Sequence, residues 1–192
     1  MKPIDRSEVL PIGDYEAIRP HFRGRVIESK KRRRVALGGD LSAIFENRDT
    51  VLLQIQEMLR TERITGEAAI AHELETYNGL LPGPGQLSLT LFVEIAEKER
   101  RDQMLVDLAG LEESVALVVD GVRCKAVAQD RDGAVPGRTT AVNYMKIDVP
   151  ADARAALAAG KPAALIVSHP RCEVSTPLDR VVVAQLVEDL GS

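Results

Sequence analysis

The chain has 192 residues, of which 45% are hydrophobic, 28% charged and 3% aromatic, and its formal net charge is −4. These values fit one globular domain, or one domain with a smaller appendage, and they exclude an intrinsically disordered chain. The scarcity of aromatic residues and the net acidity argue against a nucleic-acid-binding protein, which uses stacking side chains or a broad basic surface.

The sequence predicts a cytoplasmic protein without a membrane-spanning segment. Met1 to Leu10 lacks the apolar run of a signal peptide, and no window approaches the roughly 18 apolar residues of a spanning helix. The two cysteines, Cys124 and Cys172, lie far apart and belong to no Cys-x-x-Cys motif. We therefore predict two free thiols in a reducing compartment.

Charge is distributed unevenly along the chain. Residues 1–64 contain 13 Lys and Arg against 10 Asp and Glu, whereas the remainder contains 12 against 19. Eight of the basic residues lie between Arg19 and Arg34. The pattern predicts a local patch that attracts anions on an otherwise acidic protein.

The first 80 residues predict helices around one hairpin. A short helix over Tyr15–Arg19 precedes a basic helix over Pro20–Arg34, because proline suits the first turn of a helix. Short apolar runs around Gly38-Gly39 predict a β-hairpin. Asn47 is a good N-cap for a second helix that reaches Arg63, and a third helix follows from Glu67 to Tyr77. The apolar stripe of the second helix has helical spacing: Val51, Leu52, Ile55, Met58 and Leu59.

The second half of the chain mixes strands with helices. Leu81–Gly85 is the clearest linker, and the alternating sequence Leu87–Ile95 after it predicts a strand. Asp120-Gly121 is a strong signal for a two-residue hairpin turn. The remaining predicted elements are strands at 115–119, 122–128, 141–149 and 162–168, helices at 97–108, 150–159 and 177–190, and a polar loop at 130–138. Cys172 is predicted to lie in a loop.

Together these elements predict an α+β fold. An N-terminal helical half with a short β-hairpin, residues 1–82, packs on a mostly antiparallel sheet with helices, residues 86–192. The alternative that both halves form one integrated domain remains open.

The candidate binding surface lies on the basic helix and the second helix. Thr50, Gln54, Glu57 and Thr61 fall on one helical face, and arginines of the basic helix could face them. We predict that Arg19, Arg23 and Glu57 form an internal network near Glu46 and Asn47, while Lys30–Arg34 is largely solvated. The candidate ligand- or partner-binding residues are Arg19, Arg23, Arg32, Arg33, Glu46, Asn47, Gln54, Glu57 and Arg60.

No motif assigns a reaction, a metal or a cofactor. His21, His72 and His169 occur in none of the spacings that build a zinc or di-iron site. Gly83-x-Gly85 lacks the third glycine and the following helix of a nucleotide-binding loop. The sequence therefore favours a protein that is not an enzyme, and it names no catalytic residue.

Three segments carry a resemblance to a known family. Ile18-Arg19-Pro20, Lys30–Arg34 and the stretch from Phe45-Glu46-Asn47 through Arg60 resemble a bacterial family known as domain-of-unknown-function family 3501. The resemblance covers the whole chain and is sharpest from Tyr15 to Ile64. It implies no activity. It implies a redox or oxidative-stress setting, with an iron–sulfur oxidoreductase or a rubrerythrin-like protein as partner.

Two functional hypotheses follow. In the first, the protein is an accessory or interaction protein that presents its basic and polar helical surface to an acidic partner or an anionic ligand. In the second, it is a small-ligand-binding protein or an enzyme with a site between the basic helix and the Asn47–Arg63 helix. Dense polar residues without a nucleophile–base pair or a metal set motivate the first hypothesis.

Overall fold

The computed structural model describes residues 1–129 and 135–191 and confirms the α+β fold. In this part of the chain eight strands form one antiparallel sheet in the order β1-β2-β3-β6-β5-β4-β7-β8. The strands are β1 Arg34–Gly38, β2 Leu41–Glu46, β3 Gln86–Val93, β4 Val115–Val119, β5 Val122–Ala128, β6 Val142–Asp148, β7 Ala163–His169 and β8 Cys172–Pro177. The helices are α1 Ile12–Lys31, α2 Arg48–Thr61, α3 Glu67–Asn78, α4 Lys98–Asp107, α5 Ala151–Ala158 and α6 Arg180–Gly191.

The sheet curls until its first and last strands meet. The Thr176 hydroxyl of β8 donates a hydrogen bond of 3.2 Å to the carbonyl oxygen of Ala36 in β1. The concave face encloses the main apolar core, which includes Phe45, Leu89 and Met145 from the strands. Residues of α4, α5 and α6 complete this core: Leu105, Ala153, Leu157, Val182 and Leu186.

The convex face of the sheet is covered around β2 and β3. Every residue of β2 is buried, although alternate residues of a strand point to opposite faces. Ala43 and Phe45 belong to the main core, so Ser42, Ile44 and Glu46 point to the convex face. Tyr144 of β6 packs there against the apolar cluster of α2 and α3. Helices and sheet therefore meet over a partly polar surface.

The N-terminal hairpin is part of the main sheet. β2 pairs with β3 from Leu41 opposite Val93 to Glu46 opposite Ser88, across the Leu81–Gly85 linker. The predicted turn at Gly38-Gly39 is confirmed, and both glycines have positive φ. The sheet thus contains strands from both sides of the linker.

The predicted break at Pro20 is wrong. α1 runs without interruption from Ile12 to Lys31, with Pro20 inside it, and Arg34 already belongs to β1. An internal proline removes one backbone hydrogen bond and clashes with the preceding turn, at a cost of about 3 kcal/mol. The packing of Tyr15 and Val26 against Leu53 of α2 anchors the helix on both sides of that position.

The sequence pattern also did not predict the last strand. Cys172, predicted to lie in a loop, begins β8, which pairs with β7 from His169 opposite Cys172 to Ala164 opposite Pro177. β8 alternates between half-buried and exposed residues, so it lacks the apolar face that reveals a strand in sequence. Of the predicted polar loop at 130–138, residues 130–134 lie outside the described residues.

Candidate functional site

A groove of about 400 Å³ lies between α2 and the convex face of the sheet, and we call it the α2 groove. It is bounded by the end of α1, by α2, by α3, and by β3 and β6. Its lining residues are Lys30, Gln54, Glu57, Met58, Thr61, Glu62, Tyr77, Thr90, Phe92, Val142 and Tyr144.

A capping box at the N-terminus of α2 fixes where this helix begins. The Asn47 side chain accepts a hydrogen bond of 3.0 Å from the Thr50 backbone N–H, and the Thr50 hydroxyl accepts one of 2.9 Å from the Asn47 N–H. This capping box satisfies two backbone donors that the helix itself leaves unpaired. Ile55 and Leu59 are then buried and Arg60 is partly exposed, as predicted.

Glu46 lies on the convex face next to the groove and is only 1% exposed. Its Oε1 accepts a hydrogen bond of 2.7 Å from the hydroxyl of Thr90, which lines the groove. Its Oε2 is buried and has no hydrogen-bond partner. No ion pair among the described residues involves Glu46. A buried carboxyl group with one hydrogen bond is incompletely satisfied.

Gln54 is the second incompletely satisfied group. It projects from α2 into the lining of the groove, and its Oε1 is buried without a hydrogen-bond partner. Glu46 and Gln54 reach this region from a strand and from a helix.

Glu57 forms the hydrogen-bonded network that joins α1 to α2. The Arg19 guanidinium donates to both carboxylate oxygens, at 2.7 and 2.9 Å, and the Tyr15 hydroxyl donates to Oε1 at 2.6 Å. The charged hydrogen bonds from Arg19 are the main cause that lowers the pKa of Glu57 to about 2. Burial, assisted by the hydrogen bond to Glu57, raises the pKa of Tyr15. Glu57 is therefore an ionised structural partner and is poorly suited to accept protons at neutral pH.

Arg60 does not join this network by a direct contact. Its Nε lies 2.5 Å from Glu16 Oε1 in an ion pair that links the same two helices. Glu16 and Arg60 also border an open depression of about 550 Å³, together with Ile12, Thr61 and Arg63. With the Arg25–Asp49 pair at 3.4 Å, three ion pairs among the described residues join α1 to α2.

The basic run Lys30–Arg34 does not form one surface. Arg33 is buried and pairs with Asp189 of α6 at 2.5 Å, so it is the exception in a run that was predicted to be largely solvated. Arg34 contacts Glu94, and Lys31 contacts Glu28. Arg32 is exposed, and Lys30 lines the α2 groove. Five consecutive residues at a helix–strand junction point in different directions, so they divide between core and solvent.

The structure brings together only part of the predicted site. Arg19 and Glu57 meet as predicted, whereas Arg23 is exposed and forms no ion pair with a described residue, so its predicted place in the network is wrong. Of the predicted polar stripe on α2, Gln54, Glu57 and Thr61 line the groove, while Thr50 caps the helix.

The sequence did not predict that α3 and the sheet form walls of the α2 groove. Thr90, Tyr77 and Tyr144 lie on three different elements and come together only through strand pairing and helix packing. The single local signal was the pair of polar residues, Ser88 and Thr90, on alternate positions of an otherwise apolar strand. Asp189, the partner of Arg33, lies 156 positions away and gave no signal.

The described residues show neither a metal site nor a spanning helix. No group of three or more His, Cys, Asp or Glu side chains among them could hold a metal ion. None of the helices in this part of the chain is long and apolar enough to cross a membrane. Cys124 is buried in β5 and Cys172 is half-buried in β8, and both are unbridged.

Comparisons with other proteins agree with the resemblance seen in the sequence. The model of a family described as protein of unknown function, DUF3501, matches residues 3–190. A crystal structure of a novel protein of unknown function from Burkholderia pseudomallei K96243 is similar, with 32% sequence identity and a TM-score of 0.91. The similarity covers 98% of this chain and 100% of that one. No match is found among curated proteins. The match of nearly the entire chain to the family model shows that the protein belongs to the DUF3501 family.

Proposed function

We propose that the protein binds a small polar molecule in the α2 groove. One observation carries the proposal: two buried polar atoms, Glu46 Oε2 and Gln54 Oε1, lack hydrogen-bond partners beside a groove of about 400 Å³. Leaving such a group unpaired costs roughly 1–3 kcal/mol. A ligand that hydrogen-bonds to Gln54 in the lining of the groove offsets part of this cost when it binds.

The size and composition of the groove suit such a ligand. Its volume falls within the roughly 300–1,000 Å³ of small-molecule sites, and apolar side chains such as Met58 and Val142 stand beside the polar groups. The capping box at Asn47 and the Arg19–Glu57 ion pair hold the α2 wall in place. A site on rigid elements needs little reorganisation when the ligand enters.

The proposal is tested by screening small polar metabolites for an increase in melting temperature. A ligand that binds only the folded state raises the apparent stability by RT ln(1 + L/Kd), where L is its free concentration. We expect hits with the wild-type protein that are lost in Gln54→Leu, which removes the unpaired amide. Gln103→Leu, on the exposed surface of α4, is the matched control and should keep every hit.

The stability of the unliganded variant separates a binding role from a structural one. Replacing an unsatisfied buried amide by an apolar side chain should leave the melting temperature unchanged or raise it. A clear fall for Gln54→Leu, together with hits that persist in the variant, would show that Gln54 is structural and that the ligand site is elsewhere.

A second candidate function is docking of an acidic partner protein on α1. Arg23 and Arg32 are exposed and form no ion pair with described residues, so their charges are available to a partner. The partner class implied by the sequence resemblance is an iron–sulfur oxidoreductase or a rubrerythrin-like protein. Reversing both charges with Arg23→Glu and Arg32→Glu should slow association with such a partner and flatten its salt dependence. Unchanged association kinetics would contradict this role.

A further inference from the structure

We infer that the molecule bound in the α2 groove is a small organic cation carrying an ammonium or guanidinium group. This inference rests on the proposed function and adds the chemical class of the ligand. It depends on three features of the groove: a buried carboxyl group, a concentration of aromatic rings and the balance of charges at the rim.

The buried carboxyl group is that of Glu46. Its side chain is 1% exposed, forms no ion pair with the described residues and has one oxygen without a partner. The Thr90 hydroxyl donates its hydrogen to Glu46, so the lone pairs of Thr90 Oγ1 can accept a hydrogen bond from a group in the groove. A cation bound against Thr90 would lie within one hydrogen-bonded step of the carboxylate. Attraction at such a separation is much stronger in a protein interior than in water.

Aromatic rings are concentrated in this groove. The chain has only three Tyr and three Phe residues, and three of these six line the groove: Tyr77, Phe92 and Tyr144. The faces of aromatic rings attract ammonium and guanidinium groups. Phe92 already has the Arg34 guanidinium carbon 5.6 Å from its ring centroid, so a cation lies on this part of the sheet in the folded protein.

The charged groups that line the groove balance one another, and Glu46 next to the groove adds an acidic group. The charge of Glu57 is neutralised by Arg19. The positive charge of Lys30 is balanced by the exposed Glu62, which also lines the groove. Glu46 remains as an acidic group that forms no ion pair among the described residues and has one oxygen without a hydrogen-bond partner. An anionic ligand would have to approach this carboxylate, whereas a cation would supply its missing counter-charge.

Four probes test the inference by calorimetry with the full chain. Putrescine and agmatine carry ammonium or guanidinium groups, butane-1,4-diol is a neutral analogue of putrescine, and succinate is an anion of similar length. We expect measurable binding of at least one of the two cations and at least tenfold weaker binding of the diol and succinate. Failure of both cations to bind would overturn the inference.

Matched variants test whether the cation binds in the α2 groove next to Glu46. Glu46→Gln keeps the shape and the hydrogen bond from Thr90 but removes the charge, and it should weaken cation binding at least tenfold without lowering the melting temperature. Glu75→Gln, an exposed change on α3, should change neither cation binding nor the melting temperature. Lys30→Ala should tighten cation binding because it removes a like charge, whereas Lys31→Ala, outside the groove, should not. Weaker cation binding in Lys30→Ala, or full binding in Glu46→Gln, would overturn the inference.

The outcomes separate this inference from the proposed function. If succinate or the diol binds the wild-type protein and is lost in Gln54→Leu, while both cations fail, the groove is a ligand site and the charge assignment is wrong. If a cation binds equally well to wild type, Glu46→Gln and Gln54→Leu, its site lies outside the α2 groove, and both the charge assignment and the proposed function fail.

Discussion

Arg33 and Asp189 form a buried ion pair that joins the start of the sheet to the last helix. Two hydrogen bonds of 2.5 and 3.1 Å connect the guanidinium to the carboxylate, and the side chains are 3% and 5% exposed. Burial raises the pKa of Asp189, and the charge of Arg33 opposes that increase. The docking of α6 therefore depends on both partners, because either one alone would be buried without its counter-charge.

Removing one member of this pair should be costly. Asp189→Ala leaves the Arg33 guanidinium buried without its counter-charge, and we expect a loss of about 3–5 kcal/mol in the free energy of unfolding. Arg32→Ala, at the exposed neighbour, should stay within about 0.5 kcal/mol. The double variant Arg33→Met with Asp189→Leu should be more stable than either single change, because no unpaired charge remains. Urea unfolding measures the double variant, its two single changes, Asp189→Ala and Arg32→Ala, and a loss below about 1 kcal/mol for Asp189→Ala would contradict the argument.

Glu57 should make stability depend on acidic pH. Its pKa in the folded protein is about 2, below the ordinary value of 4.5, mainly because Arg19 donates hydrogen bonds to it. A lowered pKa in the folded state contributes stability above the unfolded value of 4.5, and that contribution is lost as pH falls towards 2. Because the pair is partly exposed to solvent, we expect Glu57→Gln to cost about 1–2 kcal/mol at pH 7.

Urea unfolding of wild type and Glu57→Gln at pH 7, 4 and 3 tests this dependence. The difference between the two proteins should shrink below pH 4.5, because Glu57 binds a proton in the unfolded wild type near pH 4.5 but in the folded protein only near pH 2. A difference that stays constant over this range would show that the Arg19–Glu57 pair does not contribute to stability.

Ile55 tests the assignment of the buried face of α2. Its side chain is fully buried in the cluster that joins α2 to α3 and the N-terminal segment. Ile55→Ala should cost about 2–5 kcal/mol in the free energy of unfolding. Ile18→Ala, at an exposed position of α1, should cost less than about 0.5 kcal/mol. A comparable loss at both positions would contradict the assignment.

Arg63 occupies a backbone conformation that favours glycine. Its φ is +53°, and the Ile64 N–H donates to the Leu59 carbonyl across it, as in helix ends closed by a left-handed residue. Arg63→Gly should raise the free energy of unfolding by about 0.5–1 kcal/mol because it relieves this strain. Arg63→Ala removes the same side chain but keeps the strain, so it should give no gain. Equal effects of the two changes in urea unfolding would attribute them to the side chain.

The two thiols should react at different rates with an alkylating agent. Cys124 is 4% exposed inside the sheet, whereas Cys172 is half-buried on the last strand. Burial raises the pKa of both thiols and so suppresses the reactive thiolate. Mass spectrometry should show Cys172 modified before Cys124 in the native protein and two modified thiols after unfolding without reductant. A disulfide-linked species would contradict the prediction of free thiols.

The sequence determined the local elements whose signals lie within a few residues. The Asn47 cap, the apolar stripe of α2 and the Asp120-Gly121 turn appear where the pattern places them, because capping, helical periodicity and positive φ are set by near neighbours. The pairing of Arg19 with Glu57 could also be predicted from the sequence, since both lie on helices whose facing surfaces are recognisable from their polar residues. The continuous helix through Pro20 could not be predicted from the sequence, because the packing of α1 on α2 outweighs a local signal for a break.

Tertiary structure alone decided which polar residues share an environment. Strand pairing places Glu46 beside β3, where Thr90 reaches its carboxyl group, and helix packing brings Gln54 and Tyr77 over the same face. Arg33 is buried, although its neighbours in the basic run are exposed, because Asp189 of α6 lies within ion-pair distance of it. Whether a charge is buried, paired or available to a ligand depends on groups that are distant in sequence, and no local pattern encodes their distance in space.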